Sequence, residues 1–257
     1  MIREFISVAA LLIGIYLAFS AFLYFYQRRL IYFPVPHDAG FAAEQVSIDN
    51  QGTRLHGWVL NPGRPRAVIY FGGNAEMITH RGEFFADVFR EHSVYLVNYR
   101  GYGLSEGRPT ESGLFSDALA IYDHVSERHR SIIAYGRSLG SGVAVYLAAE
   151  RPLDRLILLT PYDSIAEIGQ RSYPMFPVRW LVRDRFDSAS RAGDIDTPVL
   201  ITAAELDRVV RPRHTLALKA AFRDAPLEYV TIGGAAHNDI VDFPAYRDAV
   251  RKFVQRD

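Results

Sequence analysis

SIIAYGRSLGSGVAVYLAAE, residues 131–150, decides the fold. Its first five residues, Ser131–Tyr135, are an unbroken β-rich apolar run, and Leu139–Glu150 carries apolar residues at helical spacing. Between them stands Gly136-Arg137-Ser138-Leu139-Gly140. A serine on a sharp strand-to-helix turn needs glycines on both sides, because its neighbours pass too close to one another for β-carbons. Such a turn lifts the Ser138 hydroxyl above the sheet. It also aims the helix N-terminus, with the Leu139 backbone N–H, at any oxygen bound beside the serine. The pentapeptide alone is weak evidence; the strand before it and the helix after it give it meaning.

The same alternation recurs on either side. Ala67–Phe71, Ser93–Asn98, Leu156–Thr160, Val199–Thr202 and Leu227–Ile232 are short apolar runs without strict alternation, the pattern of parallel strands covered on both faces. Glu76–Arg90, Glu111–Glu127, Pro212–Phe222 and Pro244–Val254 place apolar residues three and four apart, as helices between those strands. Gln45–Asp49 and Arg54–Leu60 flank Asn50-Gln51-Gly52 and predict an opening hairpin, with Leu55, Gly57 and Val59 on one side. The fold class is therefore α/β, with a mostly parallel central sheet flanked by helices. Pro161–Asp194 breaks the rhythm. Its prolines, Pro174 and Pro177, and its run of Tyr173, Met175, Phe176, Val178, Trp180 and Leu181 predict a small cap over the C-terminal sheet edge, where ligands of such folds bind. A surface helix packed on the domain is the alternative.

Residues 5–26, FISVAALLIGIYLAFSAFLYFY, form an uncharged apolar run of 22 residues. As a helix that is enough to cross the roughly 30 Å hydrocarbon core of a bilayer. Its aromatic end, followed by Arg28 and Arg29, fits an interfacial belt with basic stops. A secretory signal has a shorter apolar core, and a core helix in a domain of this size would carry a polar stripe. The expected organisation is a transmembrane anchor over 1–29, a linker over 30–43 and an α/β domain over 44–257 with the cap at about 161–194. The chain is thus expected at a membrane as a single-pass protein. Arg28 and Arg29 against Arg3 favour a cytoplasmic domain, but the free amino terminus nearly cancels the difference.

Composition narrows the chemistry. With 257 residues, 49% of them apolar, the chain has enough material for one large core, which excludes disorder as its main state. Lys and Arg number 29 against 29 Asp and Glu, so no basic surplus invites nucleic acid, and none is expected as a partner. The absence of cysteine excludes disulfides, thiolate metal sites and a cysteine nucleophile. Eight histidines remain as bases.

Ser138 needs one of them, and only His237 lies just past the last predicted strand, in Gly233-Gly234-Ala235-Ala236-His237-Asn238-Asp239. The other seven fall on helices, the outer hairpin or the linker, away from strand C-terminal edges where reacting groups gather. An acid that orients His237 should lie between the two in sequence. Asp207 fits best, directly after Val199–Thr202; Glu205 and Asp163 are alternatives. A second backbone donor beside the serine should come from the loop after Ala67–Phe71, Gly72-Gly73-Asn74-Ala75, where Asn74 is the expected residue.

Taken together, these stretches resemble the α/β-hydrolase superfamily and, within it, the Bem46-like membrane-anchored serine hydrolases. The resemblance lies in FGGNAE at Phe71–Glu76, NYRGYGLSEG at Asn98–Gly107, YGRSLGSGVA at Tyr135–Ala144 and GAAHNDI at Gly234–Ile240, and it spans most of Glu44–Arg256 together with the N-terminal run. It implies Ser138 as nucleophile, Asp207 as acid, His237 as base, and the N–H groups of Asn74 and Leu139 as the oxyanion hole. Two departures stand out: Gly72 occupies a position where that group commonly has histidine, and Glu205-Leu206-Asp207 replaces a glycine-containing lead-in to the acid. Neither removes a reacting group.

The expected activity is hydrolysis of a carboxylic ester or thioester through an acyl-enzyme, on a small-molecule or lipid-like acyl substrate, with no metal or organic cofactor. A peptidase of the same fold is one alternative. A catalytically silent membrane-tethered scaffold is another, against which the filled Ser138, Asp207 and His237 positions argue. In the cap, Arg171, Arg179, Arg183, Arg185 and Arg191 interleave with Tyr173, Met175, Phe176, Trp180 and Leu181. This is a pattern suited either to anionic lipid or to an apolar lining over the serine.

Overall fold

In a computed structural model that describes residues 1–256, a long N-terminal helix, α1 (Ile2–Ile31), precedes an α/β domain. The hairpin comes first, β1 (Glu44–Asn50) and β2 (Thr53–Leu60). Gln51 and Gly52 both take positive φ, 53° and 81°, as a two-residue turn matched to strand twist demands. The elements then alternate through β3 (Arg66–Phe71), α2 (Gly82–Val88), β4 (His92–Val97), α3 (Glu111–Ser126), β5 (Ser131–Arg137), α4 (Leu139–Glu150) and β6 (Arg155–Leu159). Three short helices follow, α5 (Ile165–Ser172), α6 (Val178–Leu181) and α7 (Ser188–Ala192), before β7 (Val199–Ala204), α8 (Pro212–Ala221), β8 (Leu227–Ile232) and α9 (Pro244–Val254).

The eight strands form one sheet in the order β1-β2-β4-β3-β5-β6-β7-β8. From β4 to β8 every pairing is parallel, and only the hairpin strands run antiparallel. The unbroken apolar strands therefore do what their pattern requires, burying both faces. On β3, Ala67, Ile69 and Phe71 join Leu114, Phe115 and Ala118 of α3 and Val143 and Leu147 of α4 on one face. Val68 and Tyr70 meet Phe85 of α2 and Tyr246, Val250 and Phe253 of α9 on the other.

Two local expectations change. The single helix predicted over Glu76–Arg90 is a turn, a short 3-10 segment at Ile78–Arg81 and then α2. The reason is that the Glu76 side chain turns inward, where it is only 8% exposed, instead of lying on a helix surface. On β2, Trp58 is buried as fully as Leu55, so the hairpin strand is covered on both sides. His37 stacks on the Trp58 indole at 5.6 Å, and Phe41 meets the same indole edge-on at 5.7 Å, so the segment after α1 packs onto the sheet.

The glycines of the β5–α4 turn explain its sequence. A β-carbon on Gly140 would overlap the Phe71 carbonyl oxygen, and one on Gly136 would overlap the carbonyl oxygen of Gly140. Both obstacles are backbone and cannot swing aside. Gly140→Ala is therefore expected to cost about 3 kcal/mol or more, read as a lowered unfolding midpoint in detergent. Gly14→Ala, where nothing lies within 4 Å, should leave the midpoint in place. Equal midpoints for the two variants would contradict this packing.

Candidate active site

The parallel strands deliver their C-terminal ends to one edge of the sheet, and the polar residues gather there. Ser138 follows β5 with φ 48° and ψ −114°, a conformation that L-residues rarely adopt. Its backbone is fixed from both sides: Ser138 N–H donates to the Leu159 carbonyl at 2.9 Å, and the Ser141 N–H and hydroxyl both donate to the Ser138 carbonyl, at 2.9 and 2.6 Å.

Ser138 Oγ lies 3.0 Å from His237 Nε2, and His237 Nδ1 lies 2.7 Å from Asp207 Oδ2. The tautomer that satisfies both contacts carries its proton on Nδ1 and leaves Nε2 free to accept from the serine. Asp207 follows β7 and is 6% exposed; His237 follows β8 and is 7% exposed. The other Asp207 oxygen accepts from the Val209 and Val210 N–H groups at 2.9 and 2.8 Å, which fixes the carboxylate without using the oxygen that faces His237. The β7 and β8 loops are also joined directly, Leu206 N–H donating to the Ala235 carbonyl at 2.8 Å.

The two alternative acids have other work. Glu205 accepts from Gly234 N–H at 2.7 Å, bracing the loop that carries His237. Asp163, after β6, lies 2.8 Å from His214 Nδ1 in a separate buried pair. Leu139 is the first residue of α4, so its N–H is among the four that a helix leaves without an intrahelical acceptor. Asn74 lies in the loop after β3. Its side chain is occupied elsewhere, Nδ2 donating to the Ile31 carbonyl at 2.6 Å and Oδ1 accepting from Phe33 N–H at 3.0 Å and from the Tyr102 hydroxyl at 3.1 Å.

One group of residues went unnoticed in the sequence. Arg137, the residue before the serine, donates from Nη1 to Glu76 at 3.0 Å and from Nη2 to Asn238, the residue after His237, at 3.2 Å. Glu76 also accepts from Gly73 N–H at 2.5 Å, from the Tyr70 hydroxyl at 2.9 Å and from Arg81 at 2.8 Å. Burial pushes the Glu76 carboxyl up, but Arg137, Arg81 and the Gly73 N–H together outweigh it and hold the group below the usual carboxylate range. Burial next to this carboxylate pushes the Tyr70 phenol well above its usual range. A charge set between an apolar strand and the serine was the one sign of this network in the sequence. Gly72, in the same loop, has Ile78 Cγ2 2.6 Å from where its β-carbon would stand, so this loop is packed without room for a histidine there.

A serine, histidine and carboxylate linked in this order can move a proton off the serine hydroxyl. Comparison with known proteins agrees with the class of molecule. Solved structures with the same fold include the Est1E protein of Butyrivibrio proteoclasticus bound to ferulic acid, with a TM-score of 0.67 at 20% identity over 81% of this chain and 97% of that one. Another is the Pyrococcus furiosus esterase Pf2001, also at TM-score 0.67 and 20% identity, over 87% of this chain and 99% of that one. The family described as serine aminopeptidase, S33 matches residues 63–186. Among relatives by sequence, the uncharacterized Mycobacterium tuberculosis protein Rv2307c is 37% identical over 91% of this chain and 89% of its own length. The Saccharomyces cerevisiae uncharacterized membrane protein YNL320W is 30% identical over 91% of this chain and 90% of its own length. The Arabidopsis thaliana α/β hydrolase domain-containing protein WAV2 is 29% identical, over 88% and 86%. The chain belongs to the α/β-hydrolase superfamily, in its Bem46-like branch, and is a hydrolase of that fold.

Removing the Glu76 charge strands Arg137 as a buried cation, so Glu76→Gln is expected to destabilise the protein by about 3–5 kcal/mol at neutral pH. A carboxyl held below its unfolded pKa contributes stability above that pKa and loses it as the pH falls through the folded value. The difference between wild type and variant should therefore be complete at pH 7 and shrink below about pH 4. Unfolding midpoints across that range measure it; identical midpoints at pH 7 would contradict the pairing.

Proposed function

We propose that this hydrolase is a membrane-anchored serine hydrolase that cleaves carboxylic esters or thioesters with Ser138 as nucleophile, His237 as base and Asp207 as the acid that orients it. The observation that carries this reading is the continuous relay from Ser138 Oγ through His237 to Asp207, at 3.0 and 2.7 Å. As Ser138 Oγ attacks the substrate carbonyl, its proton passes to His237 Nε2 and the carbonyl π electrons move onto oxygen. The oxyanion is held by the Asn74 and Leu139 N–H groups. Collapse expels the alcohol or thiol, which takes the proton from His237 and leaves an acyl group on Ser138. Water then attacks the acyl-enzyme, gives its proton to His237, and releases the acid as Ser138 recovers the proton. Asp207 stays ionised throughout and stabilises the imidazolium.

The membrane part rests on α1, whose apolar side chains are turned outward: Phe5 is 75% exposed and Leu11 63%. A 30-residue helix of this composition is long enough to span a bilayer. The yeast relative is named as a membrane protein. In this reading, residues 1–29 anchor the chain, 30–43 link it to the hydrolase domain, and 161–194 form the cap.

An amide substrate is the second reading, favoured by the matched family's description as a serine aminopeptidase. Turnover of p-nitrophenyl esters against aminoacyl p-nitroanilides separates the two, and anilides cleaved faster than esters would overturn the ester reading. Ser138→Ala and His237→Ala are each expected to reduce ester turnover by about 10⁴-fold or more, with the double variant little worse than either. Asp207→Asn should cost about 10³–10⁴-fold, whereas Asp163→Asn should leave turnover within about threefold. If Asp163→Asn proved the more damaging, the assignment of the acid would be wrong.

A further inference from the structure

The cap lies along α1. Phe176 stacks on Tyr16 at 5.2 Å between ring centroids and meets Phe19 at the same distance. Nearer the helix end, the Gln27 side chain donates to the Leu181 carbonyl at 3.2 Å and accepts from Arg183 N–H at 2.6 Å. Arg28 pairs with the buried Asp184 at 3.0 Å, and the Tyr32 hydroxyl donates to the same carboxylate at 3.1 Å. Tyr16 lies ten residues before Tyr26, the end of the apolar run, and so about 15 Å along the helix from it. If α1 spans a bilayer to Tyr26, the turn Tyr173–Pro177 stands beside it within the hydrocarbon.

Much of the backbone of that turn, though not the Met175 N–H or the Pro174 carbonyl, is paired as such a medium favours, since every unpaired N–H or carbonyl there is costly. Pro174 and Pro177 have no N–H to satisfy. Tyr173 N–H donates to the Gly169 carbonyl and Phe176 N–H to the Tyr173 carbonyl. The Met175 carbonyl accepts from the Tyr16 hydroxyl at 3.0 Å, and the Phe176 carbonyl accepts from Gln170 at 3.0 Å and from Val178 N–H at 2.8 Å. Outward, the turn presents Met175, 78% exposed.

Between the cap and α1 lies an apolar cavity of about 240 Å³, walled by Leu23 and Ile31 of α1 and by Ile165, Ile168, Phe176 and Leu181 of the cap. An apolar cavity of about 150 Å³ already stays dry and takes up benzene. Two of these walls reach the polar edge of the sheet. The Ile31 carbonyl is held by the Asn74 side chain, and Ile165 opens α5 two residues after Asp163. We infer that this cavity receives the acyl chain of the substrate directly from the bilayer, so that the membrane helix forms one wall of the substrate site. The inference rests on the proposed serine chemistry and adds to it the substrate class: a medium or long acyl chain, carried by a lipid or by a lipidated peptide.

The test uses the full chain in phosphatidylcholine nanodiscs, with the labelling rate of Ser138 by a hexadecyl and by an ethyl fluorophosphonate. Leu23→Trp and Val178→Trp fill the cavity from opposite walls. Each should slow the hexadecyl probe about tenfold or more while changing the ethyl probe less than about twofold. As a separate reading of depth, Met175→Trp in a Trp180→Phe chain should be quenched by acyl-brominated phosphatidylcholine. Unchanged hexadecyl rates in both filled variants, or no quenching at position 175, would overturn the inference with the serine chemistry intact. Failure of wild type to react with the ethyl probe would instead count against the serine chemistry itself. Hydrolysis of long-chain phospholipid against a palmitoylated peptide then distinguishes the two carriers of the chain.

Discussion

Arg137 and Glu76 meet at 3.0 Å with their side chains 7% and 5% exposed, and three loops depend on that contact. Arg137 is the last residue of β5 and sets the position of the serine turn. Glu76 closes the loop after β3 by accepting from Gly73 N–H, and Arg137 extends across to Asn238 in the loop that carries His237. A buried ion pair contributes little net stability over an apolar one, but loss of either partner is costly. What such a pair gives here is register. Ser138, His237 and the loop that bears Asn74 follow three separate strands, and the charges hold their ends to one arrangement.

A second link joins this edge of the sheet to α1. Asn74 uses its side chain for the Ile31 carbonyl and the Phe33 N–H. The end of the long helix and the loop beside the serine are therefore fixed relative to each other by the same residue. Asp184 does the equivalent for the segment that carries α5 to α7, tied to Arg28 and Tyr32, and burial together with the Asp184 charge pushes the Tyr32 phenol far above its usual range. α1, the α5–α7 segment and the sheet edge meet around these polar contacts.

Much of this was legible in the chain itself, for a physical reason. Parallel strands bury both faces and so read as unbroken apolar runs, and the backbone crowding at Gly136 and Gly140 admits no β-carbon, so β5, its turn and α4 were all marked. That His237 and Asp207 stand at the sheet edge beside Ser138 could be read because strand C-terminal edges are few. The position of Arg137 hinted at a buried charge, but its partners Glu76 and Asn238 were not legible, since contacts between residues 61 and 101 positions apart leave no periodic trace. Nor was the true end of the Glu76–Arg90 segment, where one inward-turned carboxylate overrides an amphipathic pattern. The packing of Phe176 on Tyr16 and the pairing of Asp163 with His214 escaped for the same reason: apolar and charged side chains declare burial or chemistry in general, but not their partner.

On the proposed chemistry, acyl transfer passes through a covalent intermediate on Ser138. Mixing the full chain in detergent with a p-nitrophenyl ester, quenching in acid within the first turnovers and mapping the peptides by mass spectrometry tests it most directly. The account predicts one acyl adduct, on Ser138, formed together with a burst of p-nitrophenol and absent when His237 is replaced by Ala. Steady ester turnover with no adduct on Ser138, or with the adduct on another residue, would contradict it.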